Sequence, residues 1–114
     1  KLDNLVLVVD SNGLQIDGCV DMICSPNPLD KKLEAFHFHV ITINGNNFDE
    51  IASALKEARA TKGKPTAIVM KTQKGQGVSF MENNAGWHGK APNTEEYNQA
   101  MQELEKAGEA LCQK

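Results

Sequence analysis

Residues 38–70 run strand, helix, strand, and no other feature of the sequence narrows the fold so far. Phe38-His39-Val40-Ile41-Thr42-Ile43 is a largely apolar, β-branched run that stops at Asn44-Gly45. Thr66-Ala67-Ile68-Val69-Met70 is a second such run, opened by Pro65 and closed by Lys71. Between them Ile51, Leu55 and Ala58 recur at helical spacing, with Asn47 or Asp49 as the cap and Lys62-Gly63-Lys64-Pro65 as the stop. Two strands joined in this way form a βαβ unit, whose crossover is almost always right-handed. Leu5-Val6-Leu7-Val8-Val9 adds an uninterrupted apolar strand of the kind a parallel sheet buries on both faces. The pattern predicts an α/β chain, part of a doubly wound, mostly parallel sheet with flanking helices. Residues 28–36 carry a short helical pattern with Leu29, Leu33 and Phe36 on one side. A longer helix follows Pro92, with Asn93 and Glu96 as a reciprocal capping pair and Tyr97, Met101, Leu104 and Leu111 as its apolar stripe.

A chain of 114 residues has room for one domain and one modest core. Its formal charge of −3 offers no basic surface to nucleic acid. No apolar run approaches the roughly 18 residues that span a bilayer. The sequence opens on Lys1-Leu2-Asp3-Asn4, without an initiating methionine, and enters a strand at once, so no signal peptide is expected in it. That opening leads us to expect a fragment, a processed product or the ordered part of something longer. Cys19, Cys24 and Cys112 are odd in number and match no metal spacing, so reduced thiols and a cytoplasmic location are expected.

Two long stretches, residues 10–27 and 72–92, lack periodicity, and both follow strands directly. Open parallel sheets bind ligands beyond the carboxyl ends of their strands, so these loops and residues 44–47 should share one edge. The first stretch begins Asp10-Ser11-Asn12-Gly13-Leu14-Gln15-Ile16-Asp17-Gly18. The Asn12 amide oxygen and the Leu14 carbonyl are ligands that suit Mg²⁺ or Ca²⁺, and Gly13 lets the chain turn to aim both at one point. The same residues also suit an ordinary turn, which spacing alone favours. An EF-hand loop is excluded, because Leu14 and Gln15 stand where it needs an oxygen ligand and a glycine. The second stretch, entered through Lys71, places two lysines and two glycines in Lys71-Thr72-Gln73-Lys74-Gly75-Gln76-Gly77. Lysines neutralise phosphate and glycines admit close backbone approach, but the spacing is neither a P-loop nor a Rossmann fingerprint. Taken alone, it reads as a solvated loop. Trp87-His88-Gly89-Lys90 supplies a histidine suited to proton transfer near neutrality, although an exposed loop histidine is the commoner case. His37 and His39 flank a strand residue on one face without a third ligand, which fits packed or surface residues better than a metal pair.

Taken together, these motifs carry a resemblance. Asp10-x-Asn12-x-x-Gln15-Ile16-Asp17-Gly18 resembles the closing half of the thiamine diphosphate motif in its transketolase form. The stretch from Lys71 through Gly77, then Val78-Ser79-Phe80-Met81-Glu82-Asn83-Asn84 and Trp87-His88-Gly89, is similar to the N-terminal subunit of split, two-chain transketolases. The likeness covers nearly the whole chain. It implies that residues 1–114 form the C-terminal half of a domain that binds the cofactor's diphosphate and metal. By the same resemblance Asn12 and the Leu14 carbonyl bind Mg²⁺ or Ca²⁺. Ile16, Lys74 and His88 contact thiamine diphosphate, and His88 acts on the donor sugar. The implied reaction moves a two-carbon ketol unit from a ketose phosphate to an aldose phosphate, as in the pentose phosphate pathway.

The implied partners are an N-terminal half carrying Gly-Asp-Gly and a pyrimidine-binding domain or subunit, in a dimer or heterotetramer. A deoxyxylulose-phosphate synthase and a degenerate, non-catalytic module are the alternatives. The sequence departs from the family at His37, where glycine is usual, and at Asn44-Gly45-Asn46-Asn47, where Asp-Gly-His-Asp is usual.

Overall fold

The computed structural model describes residues 1–112. Along the chain lie β1 (Val6–Asp10), β2 (Leu14–Gln15), β3 (Gly18–Cys19), α1 (Val20–Ile23), α2 (Leu29–Ala35), β4 (His39–Asn44), α3 (Phe48–Ala60), β5 (Thr66–Lys71) and α4 (Thr94–Cys112), with a 3-10 turn at Ala85–Trp87. β5 is the middle strand of a three-stranded sheet and pairs in parallel with β1 on one side and β4 on the other. Val6 and His39 both stand opposite Thr66, and Asn44 stands opposite Lys71. This common register ends all three strands at one edge. The stretch expected to be irregular after β1 contains a small antiparallel hairpin, β2 with β3.

The core sits around β5, whose residues Thr66, Ala67, Ile68 and Val69 are all buried. Ile43 and Ile68 pack with Ala54 of α3, and Ile41, Ile51 and Met70 close the cluster. The alanines Ala54 and Ala58 let α3 lie close to the sheet. Asn47 caps this helix, its side-chain oxygen accepting the N–H groups of Asp49 and Glu50 at 3.0 and 3.2 Å. α2 and α3 both pack against β4. Among the described residues no helix is long and apolar enough to cross a membrane.

Four expectations about burial need correction. β1 was expected to be covered on both faces, yet its side chains are largely open and Val8 is 50% exposed. It is an outer strand of a body whose Cα atoms extend only 16 Å in the thinnest direction, room for little more than a sheet and one helical layer. Leu55 is 43% exposed, because Ala54 and Ala58 hold the inward face of α3. Phe36 is 76% exposed, since it follows α2 as its C-cap and leaves the side on which Leu29 and Leu33 are half-buried. The stripe of α4 is likewise open, with Tyr97, Met101, Leu104 and Leu111 all exposed.

His37 explains how α2 ends. The Phe38 N–H reaches back to the Leu33 carbonyl at 3.1 Å and the His37 N–H to that of Glu34 at 2.8 Å. These two bonds make a Schellman turn, which needs a left-handed residue between helix and strand. His37 takes that conformation with φ of 64°. The backbone therefore keeps the shape a glycine would give, although a Cβ-bearing residue is disfavoured there by about 1 kcal/mol. Replacing His37 with glycine should stabilise the protein by about 1 kcal/mol, read as a higher denaturation midpoint. A lower midpoint would show that the imidazole contributes more than the conformation costs.

Candidate functional site

The carboxyl edge of the sheet is stitched across its three loops. The Ser11 N–H donates to the Met70 carbonyl at 2.8 Å, and the Gly45 N–H to the Lys71 carbonyl at 2.9 Å. The Thr72 hydroxyl donates to the Asp10 carboxylate, and the Gln73 N–H to the Asn46 side-chain oxygen at 2.9 Å. Gly45 has no substitute, because a Cβ there would lie 2.5 Å from Thr72 Cγ2 and 2.6 Å from Met70 Cβ. The asparagines that replace the usual family residues are all engaged. Asn44 holds the Asn46 N–H, Asn46 holds Gln73, and Asn47 caps α3.

Beyond β1 the hairpin sets two oxygens. Asn12 Oδ1 accepts the Leu14 N–H at 2.9 Å, and Gly13 allows this with φ of +76°. The Val20 N–H donates to the Gly13 carbonyl at 3.0 Å, and Leu14 stands opposite Cys19. Antiparallel pairs alternate between bonded and non-bonded, so the pair after Gly13 and Val20 leaves the Leu14 carbonyl outside the ladder. Asn12 Oδ1 keeps a second lone pair. The turn and the ligand reading of this segment are therefore compatible: the turn holds the two groups together.

Beyond β5 the chain folds back tightly. Gly75 has φ of +71°, and a Cβ on it would lie 2.5 Å from the Met81 carbonyl oxygen. The Asn83 N–H donates to the Lys74 carbonyl at 2.9 Å, which fixes the backbone behind the Lys74 side chain. Farther on, Glu103 of α4 accepts both the hydroxyl and the N–H of Ser79, at 2.7 and 2.6 Å. The Ser79 hydroxyl, the Ser79 N–H and Gln99 together hold the Glu103 carboxyl below its ordinary pKa.

These two loops enclose a cavity of about 250 Å³ lined by Asn12, Leu14, Gln15, Ile16, Lys74 and His88. All five residues singled out from the sequence thus meet in one place, and Gln15 joins them. Gln15 is one of the residues that carry the motif, but nothing in the sequence assigns it a role of its own. A larger cavity of about 840 Å³, lined by Leu2, Leu5, Phe36 and Pro65 among others, lies at the opposite edge where the strands begin. Its lining is largely apolar but also includes Lys1, Lys64, His37 and Glu34, none of which the resemblance assigns to the site. His39 does not join a metal pair with His37, because its Nε2 lies 2.6 Å from Glu57 Oε1 on α3. Among the described residues no three of His, Cys, Asp or Glu gather as a metal cluster. What the small cavity does offer is a neutral amide oxygen, a main-chain carbonyl that the hairpin leaves outside its ladder, an ammonium and an imidazole. This donor set fits a hard cation that takes its remaining ligands from phosphate and water, beside the phosphate itself.

Fold and cavity together define an α/β domain with a polar cavity at the carboxyl edge of a parallel sheet. Residues 1–109 match the profile of the family described as transketolase, thiamine diphosphate binding domain, and the chain belongs to that family. It is 42% identical over 108 residues to the 6-deoxy-6-sulfo-D-fructose transketolase subunit SqwG of Clostridium sp. (strain MSTE9), covering 95% of this chain and 39% of that protein. Identity to an apulose-4-phosphate transketolase subunit of Actinobacillus succinogenes is 40% over 104 residues, covering 91% of this chain and 37% of the relative. Human transketolase matches at 36% over 104 residues, 91% of this chain but 16% of that enzyme. The crystal structure of transketolase from Campylobacter jejuni superposes with a TM-score of 0.78 at 30% identity, over 90% of this chain and 16% of that one. The chain therefore spans about two fifths of the length of the curated subunits it matches.

Two outcomes test this geometry. Gly75→Ala should cost on the order of 2 kcal/mol of stability, because the left-handed backbone and the Met81 carbonyl both reject a side chain. The Glu103 tether should be sensitive to acid. Its folded pKa is depressed, so its stabilisation is present above the unfolded glutamate value of about 4.3 and is lost as pH falls through the lower folded value. Glu103→Gln should then flatten the fall in denaturation midpoint between neutral and acidic pH, and an unchanged slope would show that the tether does not contribute.

Proposed function

We propose that this chain is part of a transketolase, in which it holds the diphosphate of thiamine diphosphate and a divalent cation. The convergence of Asn12, Leu14, Ile16, Lys74 and His88 on one cavity supports the reading. Asn12 Oδ1 and the Leu14 carbonyl hold Mg²⁺ or Ca²⁺, Lys74 neutralises phosphate charge, and Ile16 gives the thiamine an apolar surface. When bound, the cofactor supplies the electron sink for breaking a carbon–carbon bond of the ketose. The protein contributes placement: two oxygens on a rigid hairpin fix the diphosphate end, and thereby where the reacting ring sits. His88, on the facing loop, orients donor hydroxyls and exchanges a proton with them.

The reaction is transfer of a two-carbon ketol unit from an anionic ketose to an aldose phosphate, as in the pentose phosphate pathway. The names of the two relatives from two-chain enzymes, one acting on a sulfo-fructose and one on an apulose phosphate, agree with a ketose that bears an anionic end. The other cation ligand, in a Gly-Asp-Gly segment, comes from outside these residues. So does the pyrimidine-binding unit, within a cytoplasmic dimer or heterotetramer.

Calorimetry on the complete assembly tests the reading. Thiamine diphosphate should bind in an Mg²⁺-dependent way, and Asn12→Ala should weaken that binding at least about ten-fold, the loss of one strong contact to a charged group. Binding indifferent to Mg²⁺ would sink the assignment. Assayed alone with cofactor and Mg²⁺, the 114-residue chain should show no ketol transfer, and measurable turnover would contradict this division of labour.

A further inference from the structure

His88 lies in an exposed loop, and among the described residues its ring takes part in no hydrogen bond. Its backbone is helical, with φ of −64° and ψ of −38°, and its N–H donates to the Ala85 carbonyl at 3.0 Å. That bond fixes the turn but not its tilt over the cavity. The neighbouring Trp87 is held by several contacts. The indole N–H donates to the Phe80 carbonyl at 3.0 Å, and the Phe80 and Trp87 rings lie 5.3 Å apart between centroids. The other anchor is Lys90, whose ammonium stands 4.1 Å from the indole centroid.

The same ammonium donates to Glu96 Oε1 at 2.7 Å. Glu96 uses its second oxygen to accept the Asn93 N–H at 2.8 Å, while its own N–H donates to Asn93 Oδ1 at 2.9 Å. One carboxylate thus serves the capping box of α4 and holds the cation over Trp87. The first turn of α4, Lys90, Trp87 and His88 form one chain of contacts. A surface ion pair by itself contributes little, but this one is fixed at both ends, by a helix cap and by a ring.

We propose that Lys90 is a positioning residue, which sets His88 over the cofactor cavity by clamping Trp87 against the capping box of α4. The inference rests on the assignment of His88 to the thiamine diphosphate site. Lys90 is not itself a phosphate ligand: its ammonium is taken up by Glu96 and the indole, and the lysine that lines the cavity is Lys74.

The test uses the complete assembly, thiamine diphosphate with Mg²⁺ as the probe, and the fluorescence of Trp87 with Trp87→Phe as background. Lys90→Met keeps the aliphatic stem and removes the charge. It should weaken cofactor affinity about five-fold, the equivalent of one cation–π contact, and make Trp87 more open to acrylamide quenching. Lys90→Arg, which keeps the charge over the ring, should restore both readouts. In a His88→Ala background Lys90→Met should still change quenching but leave affinity unaltered, because the residue it acts through is gone. An equal loss of affinity with and without His88 overturns the proposal, as does unchanged affinity in Lys90→Met when quenching changes. Should the unmodified assembly fail to bind thiamine diphosphate, the functional reading falls, and with it the site on which Lys90 acts. If Lys90→Met does not fold, Glu96→Gln, which retains the cap, must give the same pattern.

Discussion

The parallel pairing of β1 and β4 to opposite sides of β5 is the constraint on which the site depends. Parallel strands in register end together, so every loop that leaves a carboxyl end begins at one edge. Residues far apart in sequence, Asn12 and His88, then line the same cavity without any long-range charge pair to draw them together. Among the described residues the middle strand supplies three of the seven buried apolar side chains, Ala67, Ile68 and Val69. Its rigidity is transmitted to the edge through short backbone bonds, Ser11 to Met70 and Gly45 to Lys71.

Two glycines and several amides then convert that edge into a shaped surface. Gly45 and Gly75 each occupy a place where a Cβ would enter another residue's atoms. Between them Asn44, Asn46 and Asn47 satisfy backbone N–H groups that strand and helix ends leave orphaned. The loops are irregular in periodicity, yet many of their turns are bonded. Such bonding lets a loop hold a ligand with the precision that catalysis needs.

What could be read from the sequence was whatever local chemistry determines. The cap at Asn47 and the reciprocal pair Asn93 and Glu96 were legible because side chain and backbone sit within four residues of each other. The order β4, α3, β5 was legible from periodicity. The candidate site was legible only as a conjunction: Asn12 alone is a turn residue, Lys74 alone a loop cation, His88 alone an exposed imidazole. Their resemblance to one family, in order and at matching spacing, singled out the residues that the fold then brought to one cavity. Burial was not legible. Val8 and Leu55 have the apolar character of core residues, but whether a surface is covered depends on what the fold stacks on it and not on the residue itself. The left-handed turn at His37 was legible only through the resemblance, which marks the position as one where glycine is usual; a histidine by itself gives no such signal.

The outer strand β1 has a consequence for how this molecule behaves in a cell or a tube. One side of its backbone presents amide and carbonyl groups without a neighbouring strand among the described residues, and Val6, Leu7 and Val8 are exposed. A margin of that kind adheres to other extended chains. Whatever covers that margin competes with self-association, and the contest is decided by which meets the strand first.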